Sequence, residues 1–78
     1  MPEAKAAAIA EQADLVLNGY AVTCAADGFR VVNLRTGKAA YVMGNGELSE
    51  TNMDEVEAGI ALRIVGENRR YLRGAADA

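Results

Sequence analysis

The chain contains no histidine and no tryptophan, and only one cysteine, one proline and one phenylalanine. Without histidine, the side chain that most often serves as a general base near neutral pH is missing, and with it His-centred triads and imidazole metal sites. A single cysteine, Cys24, rules out an intrachain disulfide and suits a reducing, cytoplasmic compartment. It falls in a stretch that reads as a strand, where a buried structural thiol is expected rather than a nucleophile. No apolar run approaches the roughly 18 residues of a membrane span. Met1-Pro2-Glu3-Ala4-Lys5 has no basic region followed by an apolar core, so no signal peptide is expected. Gly44-Asn45-Gly46 lacks the Lys-Ser/Thr of a phosphate loop and reads as a turn.

Material for a core is also scarce. Seventy-eight residues make one domain, and 51% hydrophobic content overstates its burial because much of it is alanine. A thin core of this kind gains from self-association, so a homodimer is one expectation. The net charge of −3 argues against a dedicated nucleic-acid binder, yet the charges are polarised. Residues 62–78 hold four arginines against two acids, whereas residues 1–28 hold one lysine against four acids. The C-terminal end is a basic site on an acidic body.

The residues present specify an α+β fold. A small single domain spanning 1–78 is expected, with an N-terminal Ala-rich helix, a three- to four-stranded antiparallel β-meander and a C-terminal helix packed on the sheet. Pro2 is compatible with a first helical turn, and the alanines that follow favour a helix over about 3–14. Asn18-Gly19 either caps that helix, extending it to 17, or turns a hairpin from Leu15–Leu17 into Tyr20; the helix end is the favoured reading. Strands follow at about 20–24, 29–34 and 38–43, with Glu47-Leu48-Ser49 as a short fourth. Asp27-Gly28 supplies a left-handed position in the first turn. Alternation places Phe29, Val31 and Asn33 on one face and Arg30, Val32 and Leu34 on the other. Neither face is cleanly polar, so both are expected to be covered, by the two helices or by one helix and a second copy.

The helix over about 52–73 anchors this arrangement. Asn52 with Glu55, or Thr51 with Asp54, forms a capping-box pattern, Gly74 is the expected stop, and 75–78 is a frayed tail. At 100° per residue, Met53, Val56, Ile60, Ile64 and Tyr71 lie within about 80° of one another and are expected on the sheet. Ala61, Val65 and Leu72 form a second apolar edge. Gly59 and Gly66 share the far side with Arg63, Arg69, Arg70 and Arg73. Mid-helix glycine costs about 1 kcal/mol against alanine, so the pair reads either as a side-chain-free track for a partner or as two tolerated exposed glycines, with Gly66 as a point where the main helix could end before a last turn.

No catalytic set, cofactor site or metal site is expected. The function read from these features is a non-enzymatic protein-interaction domain. It acts by stoichiometric binding as a small regulator or inhibitor, for instance of a nucleic-acid-processing machine in the manner of mobile-element proteins. The partner-binding set is Arg63, Arg70, Arg73, Tyr71, Gly59 and Gly66, since Arg and Tyr are enriched in binding hot spots. An alternative acidic contact set is Glu47, Glu50, Asp54, Glu55 and Glu57, which suits a basic protein surface. Helix-start capping explains most of these acids, and their spacing matches no calcium loop. The alternative function is nucleic-acid binding through the arginine-rich C-terminal helix.

Overall fold

In the computed structural model, which describes residues 2–77, the alanine-rich start forms α1, Glu3–Gln12. No residue of α1 is buried, and Pro2 at its N-cap supplies no side-chain hydrogen bond. The helix stops short of the expected 14–17 because Asp14 is claimed by the sheet. Its backbone N–H donates to Val22 O at 2.9 Å, and its Oδ2 accepts from Cys24 N at 2.7 Å. Ala13 is accordingly extended, with φ −75° and ψ 152°.

The chain then pairs at once. β1 (Leu15–Leu17) runs antiparallel to β2 (Tyr20–Ala25), with Leu17 opposite Tyr20 and Leu15 opposite Val22. This corrects the helix-end reading of Leu15–Leu17. Asn18 (φ 52°) and Gly19 (φ 77°) both take positive φ, the signature of a type I′ hairpin turn.

Three further strands complete the meander: β3 (Gly28–Asn33), β4 (Ala39–Met43) and β5 (Leu48–Thr51). The sheet order is β1-β2-β3-β4-β5, every neighbour antiparallel, so the strands number five rather than three or four. Gly28 is not in the left-handed region expected of it. A Cβ there would stand 2.1 Å from Val42 O, so glycine is required by the closeness of β4.

The C-terminal helix is two helices, α2 (Glu55–Glu67) and α3 (Arg69–Asp77), which corrects the single helix expected over 52–73. Its start moves because the expected caps are used elsewhere. Asn52 Oδ1 accepts from Ala39 N at 2.8 Å, and Thr51 Oγ1 donates to Ala39 O at 2.9 Å. Asp54 becomes the cap, its Oδ1 accepting from Glu57 N at 2.8 Å. The break falls at Asn68 (φ −118°, ψ 16°), whose backbone N–H and Nδ2 both donate to Ile64 O, at 3.1 and 2.8 Å. Gly74 does not stop α3, and 75–77 continue it rather than fraying; Ala78 lies outside the described residues.

α2 covers β3 and β4, α3 covers β2, and α1 lies against β2. The helices take opposite sides of the sheet. Tyr20, Val22, Phe29, Val31, Ala40 and Val42 form one core with Met53, Ala58, Ala61, Ile64, Val65 and Leu72. On the other face Ile9 and Gln12 of α1 approach Thr23, Arg30 and Val32. Both faces are thus covered by helices, one fully and one in part. No helix among the described residues is long and apolar enough to cross a membrane.

Candidate functional site

The buried side of α2 is the edge that small residues define. Ala58, Ala61, Ile64 and Val65 are buried, and Leu72 of α3 is fully enclosed. Alanines at 58 and 61 let the helix lie close to Val31, Ala40 and Val42 of the sheet. Of the stripe expected there, only Met53 and Ile64 are buried. Val56 is 72% exposed, Ile60 36% and Tyr71 59%. At 100° per residue Leu72 falls between Ala61 and Val65, on the buried edge, so Leu72 rather than Tyr71 turns inward.

The rotation creates a working face. Val56, Gly59, Ile60, Arg63, Gly66 and Glu67 are all exposed and share a sector of about 120° at 100° per residue. Leu17, the last residue of β1, lines the same cleft of about 740 Å³ as Val56 and Ile60. A Cβ at Gly59 or Gly66 would meet nothing within 4 Å, so neither glycine is demanded by the fold.

Polar residues close the cleft floor. Asn33, the one buried polar residue among those described, donates from Nδ2 to Glu57 Oε2 at 2.7 Å and approaches Tyr20 Oη at 3.5 Å. Thr36 Oγ1 adds a second bond to Glu57 Oε2 at 3.2 Å. Burial, and then the negative charge of Glu57, push the Tyr20 hydroxyl pKa up, so it stays protonated.

The partner-binding set read from the sequence is divided. Gly59, Arg63 and Gly66 lie on α2 beside the cleft, whereas Arg70, Tyr71 and Arg73 are exposed on α3, beyond the break. Arg63 Nε pairs with Glu67 Oε2 at 3.4 Å, an exposed contact of small energetic weight. Arg69 turns back, its guanidinium close to Gly46 in the β4–β5 turn.

The acidic set is scattered as well. Asp54 caps α2, and the bond from Glu57 N holds its carboxyl below the usual range. Glu55 is exposed in the first turn of α2, and Glu57 is committed to Asn33 and Thr36. Glu50 sits on β5 opposite Tyr41, which neighbours Arg30 on the α1 side of the sheet. Glu47 closes the β4–β5 turn, its carbonyl accepting from Met43 N. Among the described residues no three of His, Cys, Asp or Glu gather closely enough to hold a metal ion. Cys24 donates from Sγ to Leu72 O at 3.2 Å, and burial followed by the nearby Asp14 pushes its thiol pKa up.

Sequence reasoning missed Leu17, Val56 and Ile60 as surface residues and Asn33 and Tyr20 as the cleft floor. Only Asn33 left a usable signal, as a polar residue in register with Phe29 and Val31. Comparison with curated proteins and with solved structures gave no match. Residues 3–72, nearly the whole chain, match the model of a protein family, and the chain belongs to that family, a family of unknown function (DUF7723).

Proposed function

We propose that the protein is a non-enzymatic protein-interaction domain that acts as a small regulator or inhibitor by stoichiometric binding along α2. One observation carries the reading: Leu17, Val56 and Ile60 are all exposed and line one cleft. Single exposed apolar residues are ordinary, but a group that shares one concave surface marks a contact site. Arg63 borders the same cleft and supplies a flexible charged contact beside the apolar group. With a lone thiol hydrogen-bonded to a backbone carbonyl, the reading goes with a cytoplasmic setting.

Affinity purification from native cells tests this, with the wild-type chain compared to Val56→Gln/Ile60→Gln. Glutamine keeps helix propensity and removes the apolar contact. The expected result is a retained protein that the double variant loses. Identical retention by both chains overturns the reading.

A second reading has its own observation. Arg70, Tyr71 and Arg73 stand exposed side by side on α3, a basic and aromatic group suited to single-stranded nucleic acid. A mobility-shift assay at low salt decides it: binding lost in Arg70→Ala/Arg73→Ala supports it, and no binding at micromolar protein removes it.

A further inference from the structure

We infer that the chain pairs with a second copy of itself through the side of the sheet that α1 leaves open, about a two-fold axis running along β4. This surface lies across the sheet from the α2 cleft, so the inference goes beyond the interaction reading above. Side chains alternate along β4. Ala40 and Val42 turn into the core, which puts Ala39, Tyr41 and Met43 on the other side, each half-buried. α1 lies against β2 and meets Thr23, Arg30 and Val32. Beside it an open groove of about 440 Å³ is bordered by Arg30, Tyr41, Glu50 and Thr51.

Register fixes what flanks the apolar row. Arg30 of β3 stands directly opposite Tyr41, and Tyr41 stands directly opposite Glu50 of β5. With strands about 4.8 Å apart, a cation and an anion sit about 10 Å from each other with Tyr41 between them. Both are exposed, and among the described residues no ion pair or side-chain hydrogen bond engages either. A two-fold axis along β4 exchanges the β3 side with the β5 side. It lays Arg30 of each copy on Glu50 of the other and Tyr41 on Tyr41, with Ala39 and Met43 extending the apolar row. Sheets packed face to face lie about 10 Å apart, a gap that an arginine and a glutamate span together. An axis across the strands would instead set Arg30 on Arg30 and Glu50 on Glu50. α1, over β2, is two strands from the axis along β4, whereas β5 is one, so rotation carries α1 past the edge of the other copy's sheet. A different partner would need cation, aromatic and anion in the reversed order; a second copy supplies that order by symmetry. The contact spans three strands of a small sheet, so it falls at the low end of stable interfaces and the dimer dissociates in roughly the micromolar range.

The test is sedimentation equilibrium on the full chain from about 2 to 500 µM, a range that brackets such a dissociation constant. A monomer–dimer equilibrium is expected. Arg30→Glu and Glu50→Arg each set like charge on like at both ends of the contact and raise Kd by about tenfold or more, with thermal melts confirming an intact fold. Mixed in equal amounts, the two variants form a heterodimer within about threefold of the wild-type Kd, because every charge again meets its opposite. Repair by mixing cannot arise within one chain. Val56→Gln/Ile60→Gln leaves the dimer unchanged, since both residues lie on the other side of the sheet. Four outcomes overturn the inference: a monomer at every concentration, a dimer indifferent to Arg30→Glu and Glu50→Arg, variants that stay apart on mixing, or a dimer lost in Val56→Gln/Ile60→Gln. The interaction reading fails separately, when retention of another protein ignores Val56 and Ile60.

Discussion

Asn33 and Glu57 join the end of β3 to α2 through a 2.7 Å hydrogen bond from Nδ2 to Oε2. The bond lies at the floor of the cleft and satisfies a polar residue that is otherwise enclosed. Removing the donor leaves the half-buried Glu57 carboxylate with Thr36 as its remaining side-chain donor, so Asn33→Ala is expected to cost about 1–3 kcal/mol. Glu57→Gln keeps an acceptor oxygen and costs less, about 1 kcal/mol or under. Urea denaturation midpoints distinguish the two. Equal losses would mean that the bond is not what holds α2 at this point.

The glycines divide into two groups with opposite signs. Gly28→Ala drives a Cβ into Val42 O, a backbone atom 2.1 Å away, and is expected to destabilise by more than about 2 kcal/mol. Gly59→Ala and Gly66→Ala meet open space and lie within α2, so each should stabilise by about 1 kcal/mol. Gly59→Ala is also expected to weaken partner association while raising the melting temperature. Calorimetry and binding measured on the same variants check both halves.

The meander was legible because its signals are local: alternating strand formers punctuated by turn residues. What was illegible depended on distant contacts. Asn18-Gly19 serves a helix cap and a type I′ turn equally well, and Asp14, bound to Cys24 N and Val22 O, decides between them. The rotation of α2 was hidden for a similar reason. Periodicity weights Val56 and Ile60 above Ala58 and Ala61, but closeness to Val31 and Ala40 favours the smaller side chains. Asn68 passed unnoticed because Gly66 looked like the weaker link, although the Asn68 side chain is what closes α2. The candidate site inherited these errors, since its apolar half consists of residues expected in the core or in α1.

The β1–β2 turn is the next point to test. Gly19 holds φ 77°, where a β-branched residue is strained, so Gly19→Val should cost about 1–2 kcal/mol. β1 has only three residues and one neighbour, so it should loosen before the rest of the sheet. Hydrogen exchange is expected to speed up at Leu15–Leu17 and stay unchanged in β3 and β4. Uniform acceleration across the sheet would show that β1 does not open on its own.

Stability against pH should show a plateau with two limbs, and the pKa shifts of Cys24, Tyr20 and Asp54 set the sign of each. With no histidine, no side chain at its ordinary pKa titrates between roughly pH 5 and 8, so the plateau is flat there. Cys24 and Tyr20 have raised pKa values in the fold, from burial and then from Asp14 and Glu57 respectively. The folded state therefore holds those protons more tightly than the unfolded chain. Their contribution is complete below the ordinary thiol value of 9.0 and is lost as pH rises through the raised values. Asp54 is shifted the other way by the bond from Glu57 N, so its contribution is present above 3.8 and lost as pH falls through the lowered value. Denaturation midpoints from about pH 3 to 11 map both limbs across these groups. Cys24→Ser keeps a donor for Leu72 O and removes the thiol titration, so it is expected to move the onset of the alkaline limb upward. An unchanged alkaline limb in both Cys24→Ser and Tyr20→Phe would assign that limb to other groups.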